Sequence, residues 1–394
     1  MNSTVLISGA SIAGPALAYW LVRRGFSPVV VERAPALRRG GYPIDVRGAA
    51  VDVVERMGLA ERVRELRTGM RGLSYVDASG AVRAELRMDH VGSERDVELM
   101  RGDLSEVLYE ATRDDVEYVF GDWVTGLVQD GPGVQVAFER GGTRSFDLVV
   151  GADGLHSGVR ALAFGPDPGV LRHLGYTIAI FTMENVLGLD HWSVIHNVPG
   201  RLAGLYSARD DTEAKAIFGF ASAPFLVDPR DEEGQKRILE RAFAGLGSEV
   251  PRVLAAMWEA PDFYFESVSQ VHMPSWSRGR VALAGDAAHC PSPLSGQGST
   301  LALVGAYVLA GELAAARGDH GAAFARYEAL MRPYVLVNQG LATRGARAPM
   351  PRRRGELWLR NLLLRALPHL PGRRRLAGGV SGAASKIALP GYGD

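Results

Sequence analysis

The chain has 394 residues, more than one hydrophobic core ordinarily supports, so two domains or one large domain with an appendage is expected. Its 44 Lys and Arg balance 44 Asp and Glu, which removes the overall field that would favour nucleic acid, and none is expected as a partner. A single cysteine, Cys290, excludes an internal disulfide and a multi-cysteine metal centre, and no metal is expected.

In chain order, no basic region precedes the apolar run Val5-Leu6-Ile7, so a signal peptide is not expected. Residues 4–7 are β-prone, and a glycine-rich turn then opens a helix through Arg24, with Gly25 as its C-cap. Residues 28–32 read as the next parallel strand, completing a βαβ unit of about 30 residues. A helix is expected over 49–57, alternating strands near 73–76 and 82–88, and a helix over 102–112 capped by Asp103. Short strands follow at 116–120, 126–128 and 134–138, then an apolar strand at 148–150.

Between Tyr176 and Val271 the chain changes character. Short β-prone runs at 178–183, 193–197, 216–220 and 264–271 surround a helix over 231–246, the pattern of a mostly antiparallel platform. A buried strand at 279–284 precedes a loop and a long helix from about Thr300. Beyond Met331 the chain reads as helical, broken at Pro349, Pro351, Pro368 and Pro371. The uncharged stretch from Ala287 to Gly311 holds two prolines and several glycines, so no integral membrane segment is expected, and the location expected is cytoplasmic.

Three motifs carry the chemistry. In Gly9-Ala10-Ser11-Ile12-Ala13-Gly14, the first glycine suits a tight turn and the last suits close helix–strand packing, while the helix N-terminus favours phosphate. Ser11 replaces the usual middle glycine. Glu32 follows Gly14 by 18 residues, near the spacing of a ribose-hydroxyl acceptor. The second motif is Gly151-Ala152-Asp153-Gly154, followed by Ser157 and Arg160. Alone it reads as a turn in which Asp153 caps the next helix and Arg160 pairs with a surface acid. The third is Gly285-Asp286-Ala287-Ala288-His289, extended by Pro293-Leu294-Ser295-Gly296-Gln297-Gly298, where an aspartate and bare N–H groups face a ligand.

This ordered set resembles the single-component FAD-dependent aromatic hydroxylases of the p-hydroxybenzoate hydroxylase fold, over residues 4–330. The polyketide-tailoring and tetracycline-inactivating monooxygenases look nearest, on Gly41-Tyr42-Pro43-Ile44-Asp45-Val46-Arg47 and Cys290-Pro291-Ser292-Pro293-Leu294. The resemblance implies an α/β fold: a Rossmann-type, three-layer FAD-binding domain, an inserted antiparallel substrate domain and a C-terminal helical segment. The expected divisions are 1–71, 97–175 and 277–343 for the first, 72–96 and 176–276 for the second, and 344–394 for the third. It implies FAD contacts at Gly9, Ser11, Ile12, Ala13, Gly14, Glu32, Arg33, Asp45, Arg47, Arg101, Asp153, Asp286, Gly296, Gln297 and Gly298, and an NADPH contact at Arg38.

The implied reaction inserts one oxygen atom from O2 into an aromatic or polycyclic substrate through a flavin C4a-hydroperoxide, with NADPH or NADH as donor. The cofactor carries that chemistry while protein groups orient the ring, exclude water and help deprotonate the substrate, so no catalytic acid or base is named; Asp45 and Arg47 are the nearest candidates, as flavin-side contacts. Ser295 stands where the family usually has glycine, and Ser299-Thr300 where asparagine is frequent. No second dinucleotide fingerprint follows. Baeyer–Villiger insertion, dehydrogenation and a non-catalytic flavin-fold binder are the alternatives.

Other residues have plainer readings beside functional ones. His289 next to Cys290 suggests a nucleophile pair but lacks an evident acid partner, and Gly40-Gly41 could act as a hinge. Trp192, Tyr206, Phe218 and Phe220 either line a substrate cavity or fill the core. From Arg344 to Arg375 the chain has ten arginines and one acid, Glu356, around an amphipathic helix at Trp358. That pattern suits an anionic partner such as an acyl carrier protein, or a helix packed on the flavin domain with a solvated face. The assembly expected is a monomer or homodimer.

Overall fold

The computed structural model describes residues 3–38, 40–87, 94–166, 169–209, 211–224, 231–345, 350–366 and 379–393. The first half runs β1 (Thr4–Ser8), α1 (Ala13–Arg23), β2 (Ser27–Glu32), β3 (Pro43–Val46), α2 (Ala49–Arg56), α3 (Ala60–Glu65), β4 (Gly72–Val76) and β5 (Val82–Arg87). Next come β6 (Val97–Met100), α4 (Arg101–Glu110), β7 (Glu117–Phe120), β8 (Val124–Asp130), β9 (Gly133–Phe138), β10 (Thr143–Phe146), β11 (Leu148–Gly151) and α5 (Gly158–Phe164).

The second half runs β12 (Leu171–Glu184), β13 (Trp192–Val198), β14 (Arg201–Ala208), β15 (Glu213–Ala221), α6 (Glu232–Phe243), α7 (Val250–Ala256) and β16 (Phe263–Val271). It ends with β17 (Ser277–Arg278), β18 (Val281–Leu283), α8 (Asp286–His289), α9 (Gly298–Ala315), α10 (His320–Gly345), α11 (Arg354–Ala366) and α12 (Gly379–Ala384).

Val5, Leu6 and Ile7 are buried on both faces, as a central parallel strand requires. They lie in a six-stranded sheet of order β17-β18-β11-β1-β2-β7, parallel from β18 to β7. The chain builds outward from β1 through β2 and β7, then crosses to β11 and β18 on the other side. The strand order therefore reverses between β1 and β11, where an open α/β sheet leaves a crevice outside its carboxyl ends.

Packed among α1, α2 and α10 lies α9, whose residues Ser299 to Leu313 are all buried. A helix apolar all round belongs in a core. It is the one described helix long and apolar enough to cross a membrane, and most of it is buried inside the protein. It begins at Gly298, two residues before the sequence expectation, because Gln297 takes the N-cap position.

The second sheet has seven strands in the order β16-β12-β15-β14-β13-β4-β5, antiparallel except for the β13–β4 pair. One face packs on α6 and α7 through Phe181, Phe218, Phe220, Phe243 and Met257. Phe218 and Phe220 are thus core residues, not cavity lining. Trp192 is also taken up internally: its Nε1 donates to Ser74 Oγ at 2.8 Å. Tyr206 alone of the four aromatics stands on the other side of the sheet, its hydroxyl buried without a partner.

That other face carries Ile178, Ile195, Leu202 and Ile217, and Met350 and Leu294 pack on it. Asp231 caps α6 by accepting from the Gly234 N–H. Asp103 does not cap α4, which starts at Arg101 from an extended Met100 with no side-chain cap. The C-terminal tail returns to α9, where Tyr392 packs against the bare backbone of Gly311 and its hydroxyl donates to Glu312 at 2.7 Å. Pro349, Pro368, Pro371 and the arginines at 373–375 lie outside the described residues.

Candidate functional site

The three motif loops leave the carboxyl ends of β1, β11 and β18, which are adjacent strands. The Ala152 N–H donates to the Ser8 carbonyl at 2.8 Å, and the Ala284 N–H to the Gly151 carbonyl at 2.9 Å. Side chains are excluded where the loops meet. A Cβ on Gly14 would lie 1.9 Å from the Gly9 carbonyl oxygen, and one on Gly285 2.9 Å from the Ala13 Cβ. The N-cap position of α1, Ile12, makes no side-chain cap bond, so the first-turn N–H groups of Ala13 and Gly14 face the crevice as anion donors.

Glu32, at the end of β2, spans the first loop. Its carboxylate accepts the Ala10 N–H at 2.8 Å and the Ala34 N–H at 2.9 Å. A carboxylate has about four acceptor positions, so capacity remains for ligand hydroxyls. Arg101 reaches the same loop: Nη1 donates to Ser11 Oγ at 3.0 Å and Nη2 to the Gly40 carbonyl at 3.1 Å. Burial holds its pKa below the usual arginine value.

Two of the other three predicted arginines stand differently. Arg33 lies 4.8 Å over the Trp123 ring, and Arg38 is exposed with Nη2 3.6 Å from Glu32. A Cβ on Gly41 would meet Arg101 Nε at 2.9 Å, so alanine there disturbs Arg101 as well as any hinge motion.

In the second motif, Asp153 accepts the Ser157 hydroxyl and the Val159 N–H at the start of α5. Burial pushes its pKa up. Arg160 does not pair with a surface acid. It is buried, and it donates to the Ala287 carbonyl at 3.0 Å and the Leu155 carbonyl at 2.6 Å. One guanidinium therefore ties the second loop to the third. The motif held that residue, but its target is 127 positions away and no local signal names it. His156, beside it, lies 2.9 Å from Glu266 of β16 and links this loop to the seven-stranded sheet.

The third loop meets β3, which pairs with β6. Ser299 Oγ donates to the Asp45 carbonyl at 2.6 Å, and a Cβ on Gly296 would lie 3.7 Å from Asp45 Oδ2. A Cβ on Gly298 would lie 3.9 Å from Asp286 Oδ1, and burial pushes the Asp286 pKa up. Gln297 is fully buried, yet both its amide nitrogen and oxygen lack partners, as does the Thr300 hydroxyl. Unpaired polar atoms in a buried loop are costly unless a ligand meets them. The bare glycines, the open α1 terminus and this orphaned amide fit a dinucleotide with a polar ring edge, such as FAD.

His289 and Cys290 form no nucleophile pair. The His289 ring packs against Trp276, and burial brings its pKa down to about 3. Burial and the neighbouring Asp286 push the Cys290 thiol well up, away from thiolate.

Asp45 gives a pH prediction. Burial raises its pKa to about 6, against the lowering pull of Arg47, whose Nη2 donates to it at 2.7 Å. The folded apo-protein thus holds a proton that the unfolded chain releases near pH 4. Stability should fall by about 2–3 kcal/mol as pH rises from about 4 to 6, then level off. Asp45→Asn should remove that slope in denaturant titrations of apo-protein. An unchanged slope would place the titration elsewhere.

Comparison with known proteins gives the family of the chain. A family model described as FAD binding domain matches residues 2–333. An uncharacterized protein of Mycobacterium tuberculosis is 50% identical over 347 residues, covering 86% of this chain and 92% of the relative. A flavin-dependent monooxygenase of Legionella longbeachae is 43% identical, covering 86% and 87%. The crystal structure of the tetracycline destructase Tet(51) superposes with a TM-score of 0.88 at 38% identity, covering both chains fully.

Proposed function

Because this chain belongs to the FAD binding domain family and is an FAD-dependent monooxygenase, we propose that it consumes NADPH or NADH and inserts one oxygen atom of O2 into an aromatic or polycyclic, polyketide-like substrate. The observation that carries this reading is the apolar sheet face opposite the flavin loops. Leu294, in the third loop, packs in one cluster with Ile178, Ile195 and Ile217 of three different strands. An apolar patch bordered by polar side chains, here Tyr206, Lys215 and Glu266 on the same side of the sheet, suits flat fused rings. Tetracycline, the polycyclic compound in the name of the Tet(51) relative, is of that class.

FAD, when bound, supplies the redox chemistry and the activation of oxygen. The chain's residues supply binding, orientation and exclusion of water. Glu32 and Arg101 would hold the nucleotide end, and the α1 N-terminus the pyrophosphate. Asp153 and Arg160 fix the second loop, and Asp286 would accept from a ribityl hydroxyl. Gln297 and Thr300 would meet the ring edge with their unpaired groups. The His156–Glu266 contact ties the second loop to the seven-stranded sheet. Arg38, exposed beside Glu32, is the candidate contact for the nicotinamide nucleotide.

The purified protein should be yellow, and fused-ring phenols such as tetracyclines or anthraquinone-type polyketides should stimulate its NADPH or NADH oxidation. Protein that takes up no FAD, or oxidation indifferent to every fused-ring compound, would contradict the proposal.

A further inference from the structure

α11 sets a mixed face, the half-buried Leu357, Arg360, Asn361 and Leu364, toward the protein and leaves a second, apolar face outward. Toward the seven-stranded sheet it turns Arg360, whose guanidinium lies 3.9 Å over the Tyr75 ring and donates to Asn197 Oδ1 at 3.0 Å. Arg365 donates to the Arg83 carbonyl of β5 at 2.5 Å. No residue of the helix is buried. Its outward side holds Trp358, Leu359, Leu362 and Leu363, exposed by 68, 50, 46 and 58%.

Positions 358, 359, 362 and 363 form one stripe along a helix. A surface helix normally sends that stripe inward. Single exposed leucines are ordinary, whereas a contiguous apolar stripe marks a surface that something covers. The ends of the stripe are cationic. Arg353 and Arg354 are exposed before it, whereas Arg352, like Arg365, also bonds the protein, stacking on Tyr176 and donating to the Gly175 carbonyl at 3.1 Å. The one acid, Glu356, is occupied by the backbone N–H groups of Arg352 and Arg353, at 2.9 and 3.2 Å.

We propose that α11 seats this protein on an anionic lipid bilayer. Trp358 and the three leucines enter the boundary between headgroups and acyl chains, and the flanking arginines meet lipid phosphates. Arginine beside an outward apolar stripe with an interfacial tryptophan is what such a surface selects. An acidic carrier protein, which the arginines alone suggest, answers the charge but leaves the leucines uncovered. A second copy stacked on the same stripe would bring two arginine clusters together. The assignment rests on surface residues and does not depend on the substrate.

The test floats the full-length FAD-loaded protein with vesicles of phosphatidylcholine, with and without phosphatidylglycerol. Flotation is expected only with phosphatidylglycerol, and it should fall as salt rises. The double substitution Leu362→Glu and Leu363→Glu should weaken partitioning about tenfold or more, with the flavin spectrum unchanged. Lipids brominated near the headgroup should quench a fluorescence component that Trp358→Phe removes. Wild-type protein that fails to float, flotation indifferent to the double substitution, or an α11-dependent dimer or carrier-protein complex without flotation would overturn the proposal.

Discussion

Gly9→Val should give a colourless protein. Gly9 has φ +109°, a region that β-branched residues avoid, and a Cβ there would lie 2.5 Å from the Ala152 carbonyl oxygen. That neighbour is backbone at the end of β11 and cannot swing aside as a side chain would. The first and second loops must then separate where the pyrophosphate is expected to sit. FAD affinity should drop by about 100-fold or more, roughly 2.7 kcal/mol, with a stability loss of about 1–3 kcal/mol from the backbone strain. Gly154→Ala is the control. Its φ is +82° but nothing lies within 4 Å of the added carbon, so only a loss of about 1–2 kcal/mol is expected. Flavin-to-protein absorbance ratios and FAD titrations decide the matter. Wild-type affinity in Gly9→Val would remove these loops from the flavin site.

Gln297→Leu should move two quantities in opposite directions. The buried amide has no partner for either polar atom, so removing it should stabilise apo-protein by about 1–3 kcal/mol. The same change removes the hydrogen bonds that the flavin edge would accept and donate, so the rise in melting temperature on adding FAD should shrink. Thermal melts with and without FAD measure both terms. A variant whose apo-protein melts lower, with the FAD shift intact, would assign Gln297 to internal structure instead.

Much of the fold was legible because its signals are local. Val5-Leu6-Ile7 is a buried run entering glycines, and the buried strand expected at 279–284, seen as β18, repeats the arrangement at the other end. The order of three motifs then pointed to FAD. What escaped reading depends on partners distant in sequence. β14 was missed because Gly204 and Ser207 interrupt its apolar pattern, although its neighbours β13 and β15 hold it in register. Phe218 and Phe220 look like Tyr206 in sequence, and only the arrival of α6 decides which face is core.

Long-range polar contacts were equally hidden. Arg160 bonds the third loop, and Arg33 rests on Trp123, which no spacing rule connects. The α11 pattern showed an apolar side and a basic side. Which side faces the protein follows from Tyr75 and Asn197, residues on two other elements.

The most direct test of the oxygen-insertion reading is turnover of a fused-ring phenol with NADPH under isotopically labelled dioxygen, followed by mass spectrometry. One labelled oxygen atom per product molecule is expected, with the other recovered as water. Product carrying no label, or label supplied by solvent water, would contradict it.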